Sequence, residues 1–371
     1  MRWPAVLDLT SSLYLGMHHP MSALRPWSAL TLGKPQALEA PPGMAEIAAQ
    51  LAALQGAEAA LLAPSTLHLF WDLFPALARH RLSIHLDSGA YAIARWGAER
   101  AVARGATLSS FAHHDAEAAL KSIQRERGGA VPVIVTDGFC PLCARPAPLA
   151  EHLGTIERMG GYLVIDDTQA LGLLGAAPGP FHPFGSGGGG SLVHQAIASR
   201  RAISASSLAK SFGVPLAVLS GNAHLVRHLA RTSETAVHSS PPSMASLRAA
   251  ERALSQNRLH GDERRAHLLM LLRRLRAGLG RAGLAVEGKP FPVQSLTPPE
   301  GFDAPGLHRE LARRGIRTVL TRDCRGGDAR LVAILTAQHR PSDVDRLLET
   351  IRRVAAEPPR RRDIARRRRR S

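Results

Sequence analysis

A chain of 371 residues, 45% hydrophobic and 21% charged, can bury one large core or two ordinary ones, and this composition excludes a disordered polypeptide. Three cysteines are too few for a disulfide framework, and no segment reaches the uncharged apolar length of a membrane span. The net charge of +17 would favour nucleic acid, but Arg360 to Arg362 and Arg366 to Arg370 crowd much of the excess into the last dozen residues, after Pro358-Pro359.

Residues 357–371 therefore read as a disordered Arg-rich tail that touches nucleic acid or acidic surfaces only nonspecifically. No aromatic RNP motif or zinc finger stands upstream of it. The N-terminus, Met1-Arg2-Trp3-Pro4-Ala5-Val6, lacks the apolar core of a signal peptide, so a cytoplasmic protein without a membrane partner is expected.

Residues 1–43 are Pro-rich and irregular and read as an N-terminal arm. A helical pattern follows from Met44 to Gln55, with Ile47, Leu51 and Leu54 on one face and Gly56 at its end. The chain then alternates: a strand at Ala59 to Ala63, a helix at Thr66 to His80, a strand at Leu82 to Asp87, and helices at Tyr91 to Arg104 and Ala116 to Arg127. Val131 to Thr136 and Tyr162 to Asp166 are continuous apolar runs, as strands buried on both faces should be. Ala202 to Ser206 and Leu216 to Ser220 add two more strands. The alternation predicts an α/β large domain over 44–242 with a mostly parallel sheet. Within it, Gly185-Ser186-Gly187-Gly188-Gly189-Gly190 lacks the Lys-Ser/Thr of a phosphate loop, and a flexible connector is expected there. Beyond it, an amphipathic helix from Ser243 to Arg276, short strands near Val286 and at Ile316 to Leu320, a strand at Arg330 to Thr336 and a helix at Ser342 to Val354 describe a smaller α+β domain, 243–356.

Cys140-Pro141-Leu142-Cys143 has the spacing of a redox pair or of half a zinc site. No second C-x-x-C accompanies it and Cys324 is distant in sequence, so no metal is expected and the thiols are expected to stand reduced in a loop.

Two groups carry chemistry. Asp166-Asp167 ends a buried strand, the place where open α/β sheets bind ligands, although such carboxylates also cap helices. Lys210 is one of only four lysines among 47 basic residues and stands among small and apolar neighbours in Ser207-Leu208-Ala209-Lys210-Ser211-Phe212-Gly213. There an amine can lose its proton and attack a carbonyl, which arginine cannot do. A lysine amine together with a strand-end carboxylate matches the needs of pyridoxal phosphate: one bonds the cofactor, the other keeps its ring nitrogen protonated.

From Leu13 to Ile351 the chain resembles the fold-type I pyridoxal-phosphate enzymes of the aminotransferase class I/II group, most closely the α-oxoamine synthase or 8-amino-7-oxononanoate synthase family. Tyr14-Leu15-Gly16 with His19-Pro20 is similar to its YLGL and HP signature, Phe111-Ala112-His113-His114-Asp115 to F-x-H-N-D, and Thr136-Asp137-Gly138 with Ala147-Pro148-Leu149 to T-E-G and A-P-L. Asp166 to Gly175 resembles D-D-A-H-G-x-G-x-x-G, Ser207 to Gly213 resembles T-L-S-K-A-F-G, and Ala329-Arg330-Leu331 with Leu335 to His339 resembles the terminal A-R-L and T-L-x-A-x-H. The resemblance implies that Lys210 is the Schiff-base residue, that Asp166 pairs with the ring nitrogen, and that Ser207, Ser65 and Thr66 hold the phosphate. It also implies a homodimer in which Ser239 or Ser240 reaches the neighbouring subunit's phosphate, with Arg317 holding the substrate carboxylate. Three departures matter. Tyr91 stands where the family stacks a histidine on the ring, and Gln169 where a second histidine meets the ring hydroxyl. A third is the missing Gly/Ser-rich loop, replaced by Leu32-Gly33-Lys34-Pro35; that loop helps build the acyl-thioester side.

The expected function is a transferase acting on an amino acid, by decarboxylative condensation with an acyl-CoA or acyl-carrier-protein thioester. Aminotransfer, which needs no thioester loop, is the alternative. A non-catalytic binding protein on a degenerate enzyme scaffold is the alternative of another class.

Overall fold

The computed structural model describes residues 6–77, 81–126, 128–284, 286–324 and 327–356. The expected tail at 357–371 and the end of the helix expected to reach His80 lie outside the described residues.

The chain divides into two compact units. The larger comprises Leu15–Cys140 and Pro146–Asp262, the smaller the described residues of Met1–Tyr14, Pro141–Arg145 and Glu263–Ser371. The division differs from the expected boundaries at 43 and 243. Residues 15 to 43 belong to the large unit rather than to a separate arm, and Leu7–Asp8 belongs to the small one, where it pairs in parallel with Ile316–Arg317. The second boundary falls inside a single uninterrupted helix, Met244–Arg281, which runs through Gly261 in helical conformation without a cap or a proline.

In the large unit, α1 (Met44–Leu54) precedes β1 (Ala59–Ala63), α2 (Thr66–Leu77), β2 (Leu82–Asp87), α3 (Ala92–Val102), β3 (Thr107–Phe111), α4 (Ala116–Arg125) and β4 (Val131–Asp137). Then come α5 (Leu149–Met159), β5 (Tyr162–Asp166), α6 (Ser191–His194), β6 (Ala202–Ser207), β7 (Ala217–Gly221), α7 (Ala223–Thr232), α8 (Glu234–His238) and the start of α9 (Met244–Arg281). The seven strands form one sheet in the order β1-β7-β6-β5-β4-β2-β3, parallel except for β7, which runs against both of its neighbours.

Strand alternation sorts the apolar residues onto two faces. Ile84, Val133, Val135, Val164 and Ile203 pack with Phe70, Phe74, Ala94, Ala98 and Leu225 of α2, α3 and α7. Ile134, Leu163 and Ile165 pack with Ala119, Ile123, Leu149, Leu153 and Ile156 of α4 and α5. Helices on both faces explain why β4 and β5 read as unbroken apolar runs. Helix α5 and strand β3 had no distinct sequence signal. The helix carries Gly154 in its interior, and the strand, Thr-Leu-Ser-Ser-Phe, is a polar edge of the sheet.

The glycine run is not a flexible connector. Backbone hydrogen bonds stitch it to the segment after β5, from Gly172 N–H to the Gly188 carbonyl (2.7 Å), Gly175 N–H to Phe184 (2.7 Å) and Gly190 N–H to Leu174 (2.8 Å). A Cβ on Gly175 would stand 1.8 Å from the Ser186 carbonyl oxygen, so the glycines are there because two backbones touch.

In the small unit, β8 (Val293–Leu296), α10 (Ala304–Arg313), β9 (Val319–Arg322), β10 (Ala329–Ile334) and α11 (Pro341–Ala356) form a three-stranded antiparallel sheet, β8-β10-β9, with helices. Val286 lies outside any strand, and the expected strand from Ile316 to Leu320 is two. Ile316–Arg317 pairs with Leu7–Asp8 while Val319–Arg322 pairs with β10, and buried Thr318 sits at the change of partner.

Candidate active site

Six of the seven strands point their C-terminal ends to one edge of the sheet, and that edge gathers the polar residues. In register, Asp137 of β4 faces Asp166 of β5, Asp166 faces Ala205 of β6, and Asp87 ends the next strand, β2. On the other side, Ser207 of β6 and Ala63 of β1 flank Ala217 of β7 in one row, which places Ser65-Thr66, at the start of α2, just beyond that row.

Asp166 is buried, and Thr168 N–H donates to its Oδ1 at 3.1 Å. Burial raises its pKa, while Thr168 and the charge of Lys210 pull it back. The reciprocal effect holds at Lys210. Burial lowers the pKa of its amine and Asp166 opposes that, so the amine loses its proton more readily than a lysine in water. The lysine turn is braced from several sides. Ser207 N–H donates to Thr168 Oγ1 (3.0 Å), Ala209 N–H donates to Ser207 Oγ (3.2 Å), and a Cβ on Gly172 would stand 2.5 Å from Ser211.

The His19-Pro20 signature finds its role here. His19 Nε2 lies 2.7 Å from the Phe212 carbonyl, two residues past Lys210, and Arg252 donates to His19 Nδ1 (3.2 Å) and to the His18 carbonyl (3.0 Å). With Nδ1 accepting from a guanidinium, the ring proton sits on Nε2 and donates to the turn. Burial, with Arg252 adding to it, keeps this imidazole neutral by lowering its pKa.

Tyr91 is 61% exposed, and its backbone N–H, at the start of α3, donates to Asp137 Oδ1 at 3.0 Å. Asp137 has its pKa raised well above the ordinary carboxylate range by burial and by the neighbouring Asp166. Asp87 accepts from His113 Nδ1 (2.7 Å), Gly89 N–H (2.8 Å), His114 N–H (3.0 Å) and Thr136 Oγ1 (3.1 Å), and these bonds draw its pKa down against burial. Asp137, Asp87, Thr168 and His19 were not assigned roles from sequence. The available signal was positional: both carboxylates end strands at the same edge as Asp166.

Ser65 Oγ lies 2.9 Å from His68 Nδ1, and Thr66 opens α2, whose N-terminal N–H groups favour an anion. Ser239 Oγ is bonded to the Thr235 carbonyl (2.6 Å), and Ser240 is exposed after α8. Gln169 is half-buried at the Asp166 edge. Arg317 belongs to the small unit and is exposed, and its charge helps lower the pKa of Asp8, which is held first by Thr10.

These residues fit pyridoxal phosphate. A buried carboxylate paired with a deprotonatable amine, an aromatic ring left uncovered at Tyr91, and hydroxyls beside a helix N-terminus are the donor set that the group requires.

The comparisons with known proteins agree with the geometry. The model of the family "Aminotransferase class I and II" matches residues 6–351. An 8-amino-7-oxononanoate synthase of Halorhodospira halophila is 33% identical over 61% of this chain and 55% of its own length. One from Cupriavidus metallidurans is 32% identical over 67% and 61%, and one from Aromatoleum aromaticum 30% identical over 84% and 78%. The chain thus spans little more than half the length of some curated relatives. Among solved structures, a serine palmitoyltransferase from S. paucimobilis superposes with a TM-score of 0.81 at 17% identity, covering 95% of this chain and 87% of that one. An 8-amino-7-oxononanoate synthase from Francisella tularensis gives 0.71 at 19%, covering 95% and 98%. At those identities the structural likeness is one of fold.

The chain belongs to the aminotransferase class I and II family. It has the fold of the type I pyridoxal-phosphate enzymes, in agreement with its Asp166 and Lys210 motifs. Among the described residues no helix is long and apolar enough to cross a membrane.

Proposed function

We propose that this protein condenses an amino acid with an acyl thioester, releasing carbon dioxide and the thiol and leaving an α-oxoamine. The observation that carries the reading is the charge pairing of Lys210 with buried Asp166 at the ligand-binding edge, in a chain whose curated relatives are 8-amino-7-oxononanoate synthases. When bound, pyridoxal phosphate supplies an electron sink for the bonds broken at the amino acid's α-carbon. The protein's part is to hold and to move protons. Lys210 bonds the cofactor and, once displaced, carries a proton at Nζ. Asp166 keeps the ring nitrogen protonated, and Tyr91 covers one ring face. Gln169 offers an amide to the ring hydroxyl, where it hydrogen-bonds without imidazole acid-base chemistry. Ser207, Ser65 and Thr66 bind the phosphate, and Arg317 binds the substrate carboxylate.

A homodimer is part of the reading. Leu67, Trp71, Trp96 and Val237 are all large, apolar and at least 40% exposed on the large unit. A second copy covering that surface accounts for it and would bring Ser240 toward the partner's phosphate.

The visible spectrum of the purified protein, before and after borohydride, tests the cofactor; amino acids with and without an acyl thioester then test the reaction. A chromophore lost in Lys210→Ala, with carbon dioxide release that requires the thioester, is expected. Absence of the chromophore refutes the cofactor assignment. Conversion to the pyridoxamine form by an amino acid alone indicates aminotransfer, the reading that Tyr91 and the missing loop favour.

A further inference from the structure

His68 stands third in α2, three residues after Ser65, one of the hydroxyls proposed to hold the phosphate. It is half-buried, and its Nδ1 lies 2.9 Å from Ser65 Oγ. One turn further along the same face of α2 is Asp72, 7% exposed, whose charge acts on the imidazole. Asp72 is itself fixed, accepting from Ser233 Oγ and Thr235 Oγ1 at 2.6 Å each. All of these residues belong to the large unit. His68 and Asp72 line one cavity of about 20 Å³ with residues of β1, α7, α8 and the chain at Gln36, and among them Asp72 is the one charged group that His68 meets.

A serine hydroxyl has one proton, and the direction of the bond to His68 decides where that proton goes. If Nδ1 accepts, the proton is spent on the imidazole, and Oγ turns only lone pairs toward an anion. If Nδ1–H donates, the proton is free for the anion. The imidazolium always carries Nδ1–H, and a phosphate at Ser65 adds a second negative charge to that of Asp72 in its favour.

We propose that His68 is a positioning residue for the phosphate: it donates Nδ1–H to Ser65 Oγ and so aims the hydroxyl proton at the phosphate oxygens. The inference rests on the reading of Ser65 as a phosphate ligand. In the free protein burial lowers the pKa of this ring, and Asp72 opposes that. Bound phosphate raises it, so the contribution of His68 to affinity is full below the free ring's pKa and falls as pH rises through that of the complex.

The test is a titration of the full-length apoprotein with pyridoxal phosphate at pH 6 and pH 8.5, with pyridoxal, which lacks the phosphate, as control. His68→Ala should weaken pyridoxal phosphate about tenfold at pH 6 and about twofold at pH 8.5, the loss of a charge-assisted and then of a neutral hydrogen bond. It should leave pyridoxal unchanged. Ionisation of the phosphate and of Lys210 is common to both proteins and cancels in the ratio. His68→Asn, whose amide N–H takes the place of Nδ1–H without titrating, should bind more tightly than His68→Ala by the same factor at both pH values. In a Ser65→Ala background His68→Ala should change nothing further, since the histidine acts through that hydroxyl. Equal affinity of wild type and His68→Ala, a ratio that does not fall with pH, equal weakening of pyridoxal, or a further loss in the Ser65→Ala background would each overturn the proposal. Should His68→Ala not fold, wild type against His68→Asn decides, and an affinity ratio that is constant between the two pH values overturns it. Wild type that binds neither compound refutes the cofactor reading, whereas wild type that binds pyridoxal phosphate no better than His68→Ala refutes this one alone.

Discussion

Substituting asparagine for Asp167 removes a charge that the fold buries between β5 and α6. Oδ2 of Asp167 accepts the Ser191 N–H at 2.8 Å, and a Cβ on Gly190 would stand 2.2 Å from that oxygen, so the carboxylate is closely enclosed. Burial pushes its pKa from 3.8 up to about 7, against the pull of Ser191 and with a contribution from Asp166. Between those values the folded chain holds a proton that the unfolded chain has lost. Stability from this group is therefore fully present below pH 4 and is lost as pH rises through about 7. Two of the roughly three pH units lie above pH 5, so the wild type should lose on the order of 3 kcal/mol between pH 5 and pH 8 through Asp167 alone. The variant is neutral throughout and keeps a carbonyl oxygen for Ser191. Asp137 titrates in both proteins and cancels in the difference, while Asp166 is a minor contributor to the Asp167 shift and changes the difference in the same direction. Urea unfolding of the apoprotein at both pH values, followed by tryptophan fluorescence, provides the measurement, because Trp27, Trp71 and Trp96 all lie in the large unit. A difference between wild type and Asp167→Asn that is the same at pH 5 and pH 8 would refute the reasoning.

Gly97→Ala should lower the thermal midpoint although alanine is the better helix former by about 1 kcal/mol, since the new Cβ would meet the Phe70 carbonyl oxygen at 2.5 Å where α3 crosses α2. An unchanged or raised midpoint counts against that packing. Tyr91→Ala should leave the midpoint unchanged, because the ring is 61% exposed, but should weaken pyridoxal-phosphate affinity about threefold to tenfold. Equal affinity in a fluorescence titration would remove the stacking role. Asp72→Ala should cost about 2 to 4 kcal/mol by urea unfolding, since this buried carboxylate accepts from Ser233 Oγ (2.6 Å), Thr235 Oγ1 (2.6 Å) and Glu234 N–H (3.2 Å) at the start of α8. A cost below 1 kcal/mol would mean that water replaces it without loss.

Local physics made part of this protein legible in its sequence. The strands from Val131 and Tyr162 were recognisable as unbroken apolar runs because a sheet covered on both faces leaves them no polar side. Asp166 and Lys210 stood out because a strand-end carboxylate and a rare lysine among small residues are chemically unusual wherever they occur. Where local signals conflicted, the sequence misled. The six-residue glycine run has the composition of a linker, and nothing local reveals that Gly175 is pressed against another backbone.

Residue order along the chain decided the elements, the α/β alternation and the two residues proposed to meet the cofactor, since those follow from periodicity and side-chain chemistry within a short window. Tertiary structure alone decided which strands are neighbours, and so that β4 lies between β2 and β5 and sets Asp137 beside Asp166. It also decided that His19 supports the lysine turn across 193 residues and that Cys140 has a histidine beside it. Those relations depend on contacts between residues far apart in the chain, which no local pattern encodes.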